Sequence, residues 1–159
     1  MRTIRLEEHF ATPAFFDGPA RFVKERAEKI GGRYLQVLDR LCDVDAKRIS
    51  EMDAAGIDMQ VLSLSAPGVE QMEPADAVAM ARDTNDYLLD AVKKHPNRFA
   101  GFAAVPTGTP NEAVKELERR VRSQGFKGAV INGHNRGRYL DDKFYWPILE
   151  AAEALEVPI

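Results

Sequence analysis

Glu7, Glu8 and His9 stand together in the run Ile4-Arg5-Leu6-Glu7-Glu8-His9-Phe10, near the start of the chain. On a β-strand, residues two apart point to the same face, so the Glu7 carboxylate and the His9 imidazole can reach one divalent cation. Glu8 then points the other way, toward a helical layer or a rim. The bland alternative is a solvated strand end. A catalytic divalent ion takes at least three protein ligands and keeps one position open. Glu7 and His9 are therefore the candidate metal ligands of a partial site.

No other residue stands out as a third ligand. His95, in Lys93-Lys94-His95-Pro96, sits at a helix end away from the strand tips and is expected to be exposed. His134 follows a strand in Ile131-Asn132-Gly133-His134 and is on the correct side, but it lies in a loop beyond a glycine. Ser63, Ser65 and Ala66 follow the second strand, Pro106 and Thr107 the third, and Asn132 the fourth. Asn132 can donate a hydrogen bond to a substrate oxygen, or it can satisfy backbone in an Asn-Gly turn. Arg136 and Arg138 can pair with an anion, although loop arginines are usually solvated.

The elements that must position these groups alternate. Strand-like apolar runs lie at Ile4–Glu7, Met59–Leu64, Phe99–Val105 and Gly128–Ile131, with a further start at Val157. They lack strict alternation, as strands covered on both faces do. Between them, Asp45 caps a helix through Ile49 and Met52 that stops at Gly56. Pro74 opens a longer helix closed by His95-Pro96. Thr109-Pro110-Asn111-Glu112 reads as a capping box with proline at the first helical position. A last helix runs from about Phe144 to Leu155. The first connection, Phe10 to about Asp43, is far longer than the rest and reads as a functional loop, with Phe22 a candidate to close over the site.

Such βα alternation predicts a parallel sheet with right-handed crossovers. A doubly wound nucleotide fold would carry glycines in its first turn; here that turn holds two carboxylates, which repel phosphate. A (β/α)8 TIM barrel places its site at the strand C-terminal ends, where Glu7 and His9 fall. A barrel takes roughly 250 residues. The 159 residues are thus expected to be its first half, four βα units and the start of strand five.

Composition sets outer bounds. Hydrophobic residues at 45% suffice for a core, and 30% charged residues of mixed sign argue against disorder. The net charge of −3 leaves no footprint for nucleic acid. The cations around Arg119 and Arg120 alternate with glutamates and read as a solvated helix face. Cys42 is the only cysteine, so no internal disulfide forms; it reads as a small buried hydrophobe in a cytoplasmic protein. No run approaches membrane-spanning length.

Four segments together resemble a known family: Leu6-Glu7-Glu8-His9-Phe10, Leu62-Ser63-Leu64-Ser65-Ala66-Pro67, Arg98-Phe99-Ala100-Gly101-Phe102-Ala103-Ala104-Val105-Pro106, and Gly125-Phe126-Lys127-Gly128-Ala129-Val130-Ile131-Asn132-Gly133. In this order they are similar to the amidohydrolase-related barrels, in the branch of the γ-resorcylate and aminocarboxymuconate semialdehyde decarboxylases. The resemblance implies that residues 1–159 are the N-terminal part of one amidohydrolase-type barrel domain. It implies Glu7 and His9 as first-strand ligands of a divalent metal, Zn or Mn, and non-oxidative decarboxylation of a small aromatic or unsaturated carboxylic acid such as a hydroxybenzoate. Further ligands, a histidine after strand five and an aspartate after strand eight that protonates the ring carbon, would lie beyond Ile159. By itself the fragment is then expected to be inactive and to self-associate. Ala66, Asn132 and Phe22 are the expected substrate-binding residues, and the enzyme is expected to be a homo-oligomer, a dimer or tetramer, without nucleic-acid or membrane partners. Metal-dependent hydrolysis of an amide or lactone on the same barrel is the alternative reaction, and a non-catalytic α/β binding module is the alternative from another class.

Overall fold

The computed structural model describes residues 1–159. Strand β1 (Ile4–Phe10) lies parallel to β2 (Met59–Leu64), and β2 lies parallel to β3 (Phe99–Gly101). The ladder breaks at Phe102, whose N–H still donates to Leu62 O at 2.9 Å. The chain resumes as β4 (Ala103–Ala104), paired in parallel with β5 (Ala129–Val130). β3 and β4 are thus one bent run, matching the expected third strand. It hands over from β2 to the next strand through Lys127 N–H to Gly101 O and Ala103 N–H to Gly128 O, both 2.8 Å.

At the far edge Ala129 N–H donates to Pro158 O at 3.1 Å, so the residues after Val157 come in beside β5. That approach requires Gly128: a Cβ there would meet Pro158 O at 2.2 Å, and φ is +147°. Every strand sits beside its sequence neighbours, and β1 occupies an edge rather than the middle. This order curves into a barrel and does not fit the doubly wound alternative.

The long first connection is not a loop. It folds as α1 (Pro13–Asp17), α2 (Arg21–Ile30) and α3 (Arg33–Cys42), and returns to the sheet where Ala11 N–H meets Leu41 O at 2.9 Å. Thr12 Oγ1 caps α1 by accepting from Phe15 N–H at 3.1 Å. The periodicity is hard to read because α2 buries only Ala27 and α3 buries nothing. Next come α4 (Ala46–Ala54), α5 (Pro74–Lys94), α6 (Pro110–Gln124) and α7 (Trp146–Ala154), the last preceded by a 3-10 turn at Lys143–Tyr145. No helix is long and apolar enough to cross a membrane.

Several local expectations are corrected. Asp45 precedes α4 but does not cap it; its carboxylate binds Lys94 and His95 instead, at 2.5 and 2.7 Å. These hydrogen bonds, from Lys94 and then His95, hold the Asp45 carboxyl below its ordinary range. His95 is accordingly three-quarters buried, edge-on to Phe99, rather than exposed. The capping box before α6 does not form: the Thr109 hydroxyl donates back to Pro106 O, and Glu112 pairs with Lys115 and Arg82. Cys42 is half-buried rather than buried, and burial raises its thiol pKa, which suits an inert side chain.

The α6 face is only partly solvated. Arg120 and Glu116 are fully buried and paired at 2.7 Å, and Arg120 also reaches Asp86, Gln124 and the Arg82 carbonyl. The guanidinium lies over the Phe126 ring. Burial of these charges is tolerated because nearly every donor has a partner.

Asn85, on the inner face of α5, bridges the same helix pair to the sheet. Its Nδ2 donates to Ala104 O at 2.8 Å and to Glu116 Oε1 at 2.9 Å, and its Oδ1 accepts from Ala104 N–H at 2.8 Å. The side chain stands where a strand neighbour would otherwise satisfy β4. Asn85→Leu keeps the volume but orphans two buried backbone groups, at a cost of about 3 kcal/mol or more. Chemical denaturation should show that loss, and a change under about 1 kcal/mol would mean that β4 finds other partners.

Candidate metal centre and active site

The C-terminal half of β1 carries the acid and the imidazole. Its pairing with β2 slips between Arg5 and Glu8, so Leu6 and Glu7 together oppose Val61. A bulge of this kind re-aims side chains next to functional sites. Beyond it the register is regular, with Glu8 opposite Leu62 and His9 opposite Ser63. Glu7 is exposed and His9 half-buried. Glu7, Glu8 and His9 all border a cleft of about 450 Å³ on the helical side of β1, walled by α3 and α4 with Arg40, Lys47, Arg48 and Glu51, whereas Ser63, the partner of the His9 ring, is not part of that lining.

His9 is held from two sides. Its Nδ1 shares a hydrogen bond with Ser63 Oγ at 3.0 Å, and its backbone oxygen accepts from Arg48 Nη2 at 2.9 Å. In the tautomer that donates from Nδ1 to the serine, Nε2 presents a lone pair, which is the arrangement of a metal-ligating histidine. Arg48 also donates to Asp43 O, Arg40 O and Gln60 Oε1, so one guanidinium ties the end of β1 to the α3–α4 corner. Burial pulls the Arg48 pKa below its ordinary value, and the Glu8 carboxylate opposes that shift. Glu8 lines the same helix-walled cleft as Glu7 and His9 and lies close enough to Arg48 to favour its charged form. No group of three or more His, Cys, Asp or Glu side chains in the chain is placed to hold a metal. The donor set fits a divalent cation but supplies fewer ligands than a catalytic site needs.

The other candidates lie at the ends of β2, β4 and β5. Ala66 is exposed and joined to Pro67 by a cis peptide. Asn132 is half-buried two residues beyond β5, and its N–H donates to Glu70 Oε1 at 2.8 Å. Neither residue lines the cleft beside His9, and Phe22 is 60% exposed on α2. His134 is spent on a turn: its Nδ1 accepts from Gly137 N–H at 3.0 Å, and its ring meets Tyr139 edge-on. Arg136 pairs with Glu73 at 2.6 Å, and Arg138 stacks over Phe144.

Sequence reasoning missed Arg48 and Glu70. Nothing in the α4 pattern sets Arg48 apart from a solvated arginine. Glu70 left a trace, a lone acid after Gly68-Val69. It is 2% exposed, and its Oε2 has no hydrogen-bond partner. Burial pushes its carboxyl up from the ordinary range, against the Asn132 N–H, which pulls it down.

Parallel strands in sequence order are the arrangement of the first half of a (β/α)8 barrel. The amidohydrolase family model matches residues 9–159, and the chain belongs to that family. It is 40% identical to the gamma-resorcylate decarboxylase of Polaromonas sp. strain JS666, over 98% of this chain and 48% of that protein. Among solved structures, it superposes on 5-carboxyvanillate decarboxylase from Novosphingobium aromaticivorans, complexed with manganese and 4-hydroxy-3-methoxy-5-nitrobenzoic acid. The TM-score there is 0.92 at 36% identity, covering 99% of this chain and 49% of that one. The dihydroxybenzoic acid decarboxylase of Polaromonas sp. JS666, with bound manganese and 2-nitroresorcinol, gives 0.85 at 40% identity, covering 99% and 48%. The chain spans about half the length of the curated relatives it matches.

Glu70 makes stability depend on pH. Its folded-state pKa is raised, so the folded chain holds this proton more tightly than the unfolded chain does. Stability is then lost as pH rises from the unfolded carboxyl value, about 4.3, through the folded value, and the loss is complete above it. Glu70→Gln removes the titration. The stability of Glu70→Gln relative to the parent should rise across that window and then level off; a difference flat in pH would mean that Glu70 ionises at its ordinary value.

Proposed function

We propose that the whole protein is a metal-dependent, non-oxidative decarboxylase of a small hydroxybenzoate-type acid. The observation that carries this reading is His9. Its Nδ1 is engaged by Ser63, its Nε2 is free, and it sits beside Glu7 on the first strand of a family barrel whose relatives are named as decarboxylases. In the reaction the bond from the ring carbon to the carboxylate carbon breaks, carbon dioxide leaves, and a proton takes its place on the ring. No oxidant or reductant is required.

Glu7 and His9 would hold a divalent ion, manganese or zinc, together with ligands elsewhere in the barrel. When bound, the ion supplies positive charge to the substrate oxygens and fixes the orientation of the ring. The chain's own residues do the rest of the positioning. Ser63 holds the His9 ring, and Arg48 holds its backbone. Asn132 offers a carboxamide donor to a substrate oxygen. Ala66 supplies a small apolar surface at the rim. Phe22, exposed on α2, closes over the ring when substrate binds.

We further place the protein in the cytoplasm, on the strength of its single cysteine, and read it as a homo-oligomer. Exposed Tyr34 and Leu35 on α3 supply apolar surface for self-association.

The test is product analysis on the whole protein. Incubation with 2,6-dihydroxybenzoate and manganese should release carbon dioxide and resorcinol. Ring opening of a lactone without carbon dioxide release would replace this reading with hydrolysis. Glu7→Ala and His9→Ala should each lower bound metal from about one ion per subunit to a small fraction; unchanged metal content in both would remove them from the site. Asn132→Ala should raise KM by about tenfold with little change in folding stability. Normal turnover with a large stability loss would assign Asn132 to its turn instead.

A further inference from the structure

Glu70 belongs to the connection between β2 and α5, yet its bonds run to the strand-end loop after β5. Its Oε1 accepts from Asn132 N–H at 2.8 Å, and its backbone oxygen accepts from Asn135 Nδ2, which also lies 3.4 Å from Thr107 Oγ1 beyond β4. Gln71 Nε2 donates to His134 O, and Glu73 pairs with Arg136. The two loops are therefore stitched together across three strand ends.

The stitching has one anomalous member. Buried polar atoms almost always find partners, but Glu70 Oε2 has none. The local packing shows where it points. A Cβ on Gly68 would come within 2.1 Å of Glu70 Oε2 and 2.6 Å of Asn132 Nδ2. The carboxyl of Glu70 and the carboxamide of Asn132 thus converge on one point of backbone, which only glycine leaves open. A residue needed only to tie two loops could do so from the surface, as Gln71 and Glu73 do.

We propose that Glu70 is a positioning residue of the strand-end site, whose buried carboxyl fixes the backbone of Asn132 and aligns its carboxamide on a substrate oxygen. This rests on the reading of Asn132 given above. Gly68 is part of the same device, because it lets both side chains close on the loop. The acceptor oxygen is the working feature and the negative charge is not, so glutamine serves where leucine does not.

The experiment is a double-mutant cycle in the whole protein, with kcat and KM on 2,6-dihydroxybenzoate and calorimetric binding of 2-nitroresorcinol as readouts. Glu70→Leu should lower kcat/KM by up to about tenfold, mainly through KM, and weaken 2-nitroresorcinol to a similar degree. Glu70→Gln should stay within about threefold of the parent. The Glu70→Leu, Asn132→Ala double variant should lose no more than Asn132→Ala alone, since both act through one group. If Glu70→Leu does not fold, Gly68→Ala, which parts the two side chains without removing either, should show the same rise in KM. Additive losses, or parental KM in a folded Glu70→Leu or Gly68→Ala variant, would overturn the proposal. A parent enzyme that neither decarboxylates nor binds 2-nitroresorcinol sinks the decarboxylase reading and this inference with it; an active parent with an unaffected Glu70→Leu sinks this inference alone.

Discussion

The bend at Phe102 depends on one side chain. In a parallel sheet every strand must satisfy its backbone on two sides, and β4 has β5 on one side only. The carboxamide of Asn85 supplies the other, accepting from the Ala104 N–H and donating to the Ala104 oxygen. Because of this, the third run can leave β2 after Gly101 and join β5 without abandoning a buried amide. That handover curves the sheet, and curvature brings the ends of β2, β4 and β5 to one rim. The buried pair of Glu116 and Arg120 then locks Asn85 from behind.

Two charged groups, the half-buried Arg48 and the buried Glu70, do comparable work at the rim itself. Arg48 gathers the backbone oxygens of His9, Arg40 and Asp43 into one cluster, so the end of β1 is fixed relative to α3 and α4. Glu70 does the same for the loops after β2 and β5. In each case a long side chain replaces a missing ladder partner. The cost is desolvation, visible as a lowered pKa for Arg48 and a raised one for Glu70. Arg48 recovers that cost through four acceptors. Glu70 recovers it only in part, because Oε2 stays unpaired.

The family relationship gives these contacts their functional setting. A barrel that holds a cation at its strand ends needs first-strand ligands whose geometry does not relax when substrate arrives. Ser63 and Arg48 hold the ring and the backbone of His9 in this way. Glu7 lies at the register shift on β1, opposite Val61 together with Leu6. The relatives bound to manganese and nitro-aromatic ligands are similar over this same half of the barrel.

What the sequence determined by itself was set by local rules. Apolar runs fixed Met59–Leu64 as a strand, proline opened α5 at Pro74, and Gly125 closed α6 in the left-handed region. The two-residue spacing of Glu7 and His9, at the end of the first such run, located the candidate metal ligands, and the order of elements implied the barrel. Tertiary structure decided everything that depends on which group a polar side chain meets. Asp45 and Thr109 had the residue types of helix caps, but stronger partners took their oxygens: a lysine and a histidine for Asp45, and a carbonyl reached by the Thr109 hydroxyl. Arg120 had the pattern of a solvated arginine and became fully buried, because Glu116 and Asp86 met it there. Glu70 and Arg48 acquired their roles the same way, from groups distant in sequence. Periodicity records which face of an element is apolar; it carries no record of long-range polar pairing, which only the packed chain brings into existence.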